Sequence, residues 1–264
     1  MSAPNAGRII AIASGKGGVG KTWLAITLAQ ALTQALAQAG QRVLLVDADF
    51  GLANVDVQLG LEPVQDLGGV LAGRIGLAAA AQSHPAGFDI LAGRSGCGSL
   101  AGLGATALAR LPALLQEAAA RWAVVVLDLG AGLEPAVRQL TAAADTVLVV
   151  ATDEPTSLTD AYAVLKLHRR DRPGGDARVV VNLATDRASG DHTWRSLDTA
   201  CTRFLGAGVP LAGIIRRDSR VPEAIRRQTA LLTRHPGSQA AADVTALARG
   251  LLPQHHIRDN SIHP

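Results

Sequence analysis

The sequence is poor in several residue types, and each scarcity excludes something. It carries two cysteines, Cys97 and Cys201, too few for a disulfide-stapled scaffold or a cysteine zinc site. Aromatic residues make up 3%, so a core must be built from the Ala, Val, Leu and Ile that dominate the 48% apolar content. Charged residues reach 18%, which does not fit a disordered, charge-solvated chain. No apolar run approaches the roughly 18 residues of a membrane-spanning helix. Met1 to Arg8 has no basic flank leading into an apolar stretch, so no signal peptide is expected and the cytoplasm is the expected compartment.

Lysine is scarcest of all. The 25 basic residues include Lys16, Lys21 and Lys166, and the rest are Arg. The formal net charge of +3 is mild. Arg serves wherever a generic positive charge suffices, yet two of the lysines sit together in one glycine-rich stretch. Those two sites call for a compact ammonium instead of a planar fork.

Apolar runs alternate with helical patterns along the chain. Strands are expected at Arg8–Ala13, Arg42–Val46, Phe88–Leu91, Trp122–Leu127, Thr146–Ala151, Arg178–Val181 and Leu211–Ile215. Helices are expected at Lys21–Ala39, Leu103–Arg121, Ser157–Arg169, Asp191–Leu205, Val221–Leu232 and Gln239–Leu251, with Gly40 capping the first. Continuous Val/Ile/Leu strands separated by helices imply an α/β fold: a mostly parallel sheet in the middle layer of three, with helices on both faces. No linker interrupts the pattern. Residues 1–264 read as one domain, with its core at about 8–252 and a flexible tail at 253–264. Ligands of such sheets sit beyond the carboxyl ends of the strands.

The segment Gly15-Lys16-Gly17-Gly18-Val19-Gly20-Lys21-Thr22 matches G-x-x-x-x-G-K-[ST], after a strand and at the start of a helix, as a phosphate-binding loop requires. Its glycines let backbone N–H groups wrap phosphate oxygens at a helix N-terminus. Lys21 is expected to reach the β/γ-phosphates and Thr22 to hold Mg²⁺. The paired acids Asp47 and Asp49 end the second strand, where they can hold Mg²⁺ through water or position an attacking water. Asp128 ends the WAVVVL strand, the position of an outer-sphere Mg²⁺ partner. Gly130 and Gly132 follow it in a candidate switch loop. These residues point to a nucleotide's phosphates and Mg²⁺, and the resemblance that follows makes the expected cofactors ATP and Mg²⁺.

GKGGVGKT resembles the deviant Walker A box of the MinD/ParA family of P-loop ATPases. The resemblance implies slow ATP hydrolysis and an ATP-sandwich homodimer in which Lys16 crosses to the partner's nucleotide. It assigns Asp49, in switch I, to the attacking water, gives Asp47 a supporting role, and assigns Asn182 to the adenine base. The nucleotide set it implies runs from Gly15 to Trp23, with Asn182 and Arg216; Thr22, Asp47 and Asp128 surround the metal. Some positions depart from the family. Trp23, Ala25 and Thr27 replace Asn, Ser and Asn on the first helix. Leu129 stands where a Thr or small residue is common, and Arg216 where Pro is usual.

Two longer stretches, DADFGLANVDVQLGL at Asp47–Leu61 and DEPTSLTDAYAVLK at Asp153–Lys166, resemble the FlhG/FleN branch, which regulates flagellar number and placement. The second stretch starts a helix, with Thr156 or Ser157 as its N-cap. The resemblance runs from about Ile9 to Pro236. The partners it implies are flagellar proteins such as FlhF, switch or C-ring proteins, or a flagellar transcription regulator, with recruitment to the cell pole or membrane through a partner. Relatives bind bilayers through a C-terminal amphipathic helix. Here Gln239–Leu252 offers Val244, Leu247 and Leu251 with a single basic residue, Arg249, so weak or no autonomous membrane binding is expected. Two other readings stand beside this one. A ParA-type DNA-partition ATPase would use the basic cluster Arg216, Arg217, Arg220, Arg226 and Arg227. A cobyrinate diamide synthase or dethiobiotin synthase would turn over a small acid.

Overall fold

The computed structural model describes residues 7–93 and 109–253. Cys97, the first part of the expected Leu103–Arg121 helix, and His255-His256 lie outside them.

Eight strands form one sheet among the described residues: β1 (Arg8–Ser14), β2 (Val43–Ala48), β3 (Gln82–Ser83), β4 (Asp89–Leu91), β5 (Val124–Ala131), β6 (Thr146–Ala151), β7 (Asp176–Ala184) and β8 (Leu211–Arg216). Their order is β3-β4-β2-β5-β1-β6-β7-β8. All neighbours pair in parallel except β3 with β4 at one edge. The central strands are mostly apolar because both faces are covered. Register then fixes two carboxylates side by side, since Asp47 on β2 stands opposite Asp128 on β5.

The helices are α1 (Lys21–Leu36), α2 (Val55–Leu59), α3 (Leu67–Leu71), α4 (Leu77–Ala80), α5 (Leu111–Arg121), α6 (Pro135–Ala143), α7 (Pro155–Asp171), α8 (Arg187–Leu205), α9 (Arg220–Arg226), α10 (Leu231–Arg234) and α11 (Gln239–Leu251). One face of the sheet is covered by α1, α10 and α11, through residues such as Leu24, Leu28, Leu231 and Val244. The other is covered by α3 to α8, through Leu71, Leu115, Leu140, Leu165 and Leu197. Val244, Leu247 and Leu251 of α11 are buried in the core.

Several boundaries differ from expectation. α1 ends at Leu36 and tightens into a 3₁₀ turn before Gly40, whose φ of 61° closes the end. The expected Val221–Leu232 helix breaks into α9 and α10. Between them Gln228 adopts a φ of 50°, and its amide donates to the Val57 carbonyl at 3.0 Å, so a tertiary contact overrides the local pattern. α7 begins at Pro155, with Glu154 at the cap position. Ser157 lies inside that helix, and its hydroxyl accepts from the Thr152 amide at 3.0 Å. α8 starts earlier than expected because Asp186 and Ser189 form a reciprocal capping box.

Candidate nucleotide-binding site

The loop between β1 and α1 lies at the carboxyl end of the sheet. Gly18 and Gly20 adopt φ values of 80° and 90°, which a side chain would strain. Gly15 lies against α7 so closely that a Cβ would fall 2.5 Å from the Asp160 carbonyl oxygen. Gly17, by contrast, faces open space. The loop is thus clamped on its protein side and open on the other, the shape of a cradle. Lys21 opens α1 and is buried, and its ammonium donates to the Ser14 hydroxyl at 2.9 Å. That hydroxyl in turn donates to the Lys16 carbonyl at 2.6 Å. Burial lowers the Lys21 pKa, against the pull of Asp128 and Asp49.

Lys16 lies outside this arrangement. Its ammonium pairs with the Glu154 carboxylate and donates to the Thr156 hydroxyl at 3.0 Å, both at the start of α7. Sequence reasoning missed these partners and Ser14; no spacing rule links residue 16 to residues 154 and 156.

The acids divide by environment. Asp47 is fully buried and accepts from the amides of Asp49, Asn54 and Val55 at 3.2, 3.0 and 3.0 Å. It therefore braces the loop after β2 and the start of α2. Burial pushes its pKa up to about 6, although those amides pull the other way. Asp49 is half-buried, and one of its oxygens accepts from the Gly51 and Leu52 amides, both at 3.0 Å. Gly130 lets it approach β5: a Cβ there would stand 3.0 Å from the Asp49 carboxylate.

Asp128 is different. Both its carboxylate oxygens are buried, with no hydrogen-bonded partner among the described residues. Burial, and next the nearby Asp47 charge, push its pKa up to about 8, while the Thr22 hydroxyl and Lys21 ammonium nearby pull it down. An orphaned buried carboxylate beside a threonine hydroxyl at a phosphate cradle fits a divalent cation. The structure brings Asp47 and Asp128 side by side near Thr22, the three residues expected around Mg²⁺, and of the two acids Asp128 is the one left without an amide partner.

Beyond the loop opens a cavity of about 640 Å³ whose walls include Gly18, Gly20, Trp23, Asn182, Leu183 and Arg216. Asn182 is buried, and its amide donates to the Val19 carbonyl at 2.8 Å. Leu183 beside it has a φ of 59°. Arg216 lines the wall, but its guanidinium is held by Asp243 through two contacts of 2.9 Å and by Gln239 at 2.7 Å. The buried Asp243 carboxylate also pairs with Arg187 at 2.9 Å. The sequence reading of α11 did not anticipate this anchor.

The profile of the CobQ/CobB/MinD/ParA nucleotide binding domain matches residues 10–232. The chain belongs to this family. The antiactivator FleN of Pseudomonas aeruginosa is 38% identical over 242 residues, 92% of this chain and 85% of that protein. The flagellum site-determining protein YlxH of Helicobacter pylori is 28% identical over 249 residues, 93% of this chain and 81% of that protein. The crystal structure of the cell division ATPase MinD from Pyrococcus furiosus has the same fold, with a TM-score of 0.75 at 24% identity over 93% of this chain and 98% of that one. The family match spans the Gly15–Trp23 loop, the acids, Asn182 and Arg216, whereas the Arg216 anchors Gln239 and Asp243 lie beyond it.

Proposed function

We infer that this chain is an Mg²⁺-ATP-dependent switch that dimerises when ATP is bound, hydrolyses it slowly, and sets flagellar number or placement through a partner protein. The observation that carries the reading is the separation of the two loop lysines. Lys21 is buried under the phosphate cradle, whereas the Lys16 ammonium is held away from it by Glu154 and Thr156, in a pair exposed enough to be exchanged for contacts with a second subunit. The family membership and the flagellar relatives support the same reading.

The loop amides and Lys21 bind and orient the phosphates. Thr22 and Asp128 would hold Mg²⁺ with Asp47 behind them, and the ion supplies charge neutralisation at the phosphates when bound. Asp49 orients the attacking water, and the loop of Gly130 and Gly132 reports the state of the γ-phosphate. Catalysis here is positioning and charge stabilisation. The partners proposed are FlhF, switch or C-ring proteins, or a flagellar transcription regulator. The apolar residues of α11 are buried in the domain, which supports weak or no autonomous membrane binding and recruitment by a partner.

The DNA-partition reading draws less support. Within its basic cluster Arg216 is held by Asp243 and Arg220 by Glu223, so the charge is partly neutralised in place. Deleting the gene and counting flagella per cell tests the proposal. A changed number or position supports it. Normal flagella together with loss of plasmids or chromosomes would overturn it.

A further inference from the structure

Two residues with left-handed backbones meet at one point of this structure. Gly60 ends α2 with a φ of 64°, and Gln228 follows α9 with a φ of 50°. Glycine adopts that conformation at little cost. In glutamine it is strained, and such strain persists only where surrounding contacts hold it. The holding contact here is with α2. The Gln228 side-chain amide donates to the Val57 carbonyl at 3.0 Å. The same side chain lies so close to Gly60 that a Cβ there would stand 3.0 Å from Oε1 and 3.1 Å from Cβ of Gln228.

α2 needs such ties. A helix of five residues is too short to stand on its own hydrogen bonds. Among the described residues Asn54 gives its start no side-chain cap. The Asn54 and Val55 amides go instead to one oxygen of the Asp47 carboxylate, both at 3.0 Å. The other oxygen accepts from the Asp49 amide at 3.2 Å. Asp47 thus joins the start of α2 to Asp49, and Gln228 joins the far part of α2 to α9. Val55 and Leu59 also pack into the core, but that hold is non-directional. The Gln228 bond is directional and comes from a firm support, since Ala224 of α9 is buried and Glu223 pairs with both Arg220 and Arg234.

We propose that Gln228 is a positioning residue for hydrolysis: by fixing α2 against α9 it holds, through Asp47, the loop that carries Asp49. This rests on the reading that Asp49 orients the attacking water. Two variants test it. Gln228→Glu keeps the side-chain length and the strained backbone, but its carboxylate cannot donate to Val57. Gln228→Gly removes the side chain and relieves the positive φ, so lost turnover in it cannot be put down to a weakened fold. Phosphate release with Mg²⁺-ATP gives kcat and KM. The expected result in both variants is a kcat about fivefold lower, the size of one hydrogen bond, with KM for ATP changed by less than about twofold. The melting temperature of Gln228→Gly should be no lower than that of the wild type.

The double variant decides the route. Once Asp49→Ala has removed the group being positioned, adding Gln228→Glu should slow single-turnover hydrolysis no further. Wild-type kcat in either single variant, or a loss from Gln228→Glu that persists in full on top of Asp49→Ala, would overturn the proposal and leave the hydrolysis reading standing. A wild type that releases no phosphate from ATP would overturn both.

Discussion

Lys16 and Glu154 are joined in an ion pair within one chain, with the Thr156 hydroxyl as a second partner at 3.0 Å. The pair is solvent-exposed, with side-chain exposures of 37% and 59%. Exposed pairs contribute about 0–1 kcal/mol, so Lys16 can leave Glu154 readily. Glu154→Gln is therefore expected to change unfolding stability by less than about 1 kcal/mol and to leave ATP-dependent dimerisation intact. Thermal melting and light scattering check both.

Two loop glycines separate folding from ligand binding. Gly15→Ala drives a Cβ to 2.5 Å from a backbone oxygen of α7, which no rotamer change relieves. It should destabilise the fold by about 1–3 kcal/mol. Gly17→Ala meets no atom of the described residues within 4 Å. It should leave the melting temperature unchanged and weaken ATP binding roughly tenfold, because its methyl group enters the phosphate space. Denaturant unfolding and nucleotide titration distinguish the two.

Asp49→Ala removes the proposed water-orienting carboxylate and leaves the Gly15–Thr22 cradle in place. Lost positioning should slow hydrolysis about 10²-fold or more while ATP still binds. Phosphate release under steady-state conditions measures this, and a wild-type rate would remove Asp49 from that role.

The raised pKa of Asp128 gives a pH signature. A group raised to about 8 holds its proton in the folded state at pH values where the unfolded chain has lost it. The folded state then binds more protons, so this group makes stability fall as pH rises from about 4 to about 8. Asp47, raised to about 6, adds to the fall over the lower part of that window. Asp128→Asn should flatten the decline in the ligand-free protein by an amount on the order of a few kcal/mol. Binding of Mg²⁺ with nucleotide at neutral pH should release a proton from the wild type and less from the variant. Calorimetry in buffers of different ionisation enthalpy measures that release.

The parallel strands were legible because each is a short, nearly unbroken Val/Ile/Leu run, and the loop because its glycines and lysines have fixed spacing. α2, α3 and α4 were not, since helices of four or five residues carry too little periodicity to read. α6 was missed although Pro135 stands at its start. The break at Gln228 was hidden because its cause is the distant Val57 carbonyl. At the site, residue types could be read but their partners could not. Asp47 looked like a metal neighbour, and its three amide bonds appear only once the chain turns back at Asn54. Arg216 looked like a bare substitution for Pro, and its anchor is Asp243, far along the chain on α11.

The central claim is that ATP brings two chains together through Lys16. Multi-angle light scattering of the wild type and of Lys16→Ala, each with and without ATP and Mg²⁺, tests it most directly. The account predicts that ATP doubles the mass of the wild type, and that the variant stays monomeric with its fold and much of its nucleotide affinity retained. A wild type that remains monomeric with ATP bound, or a variant that dimerises as well as the wild type, would contradict it.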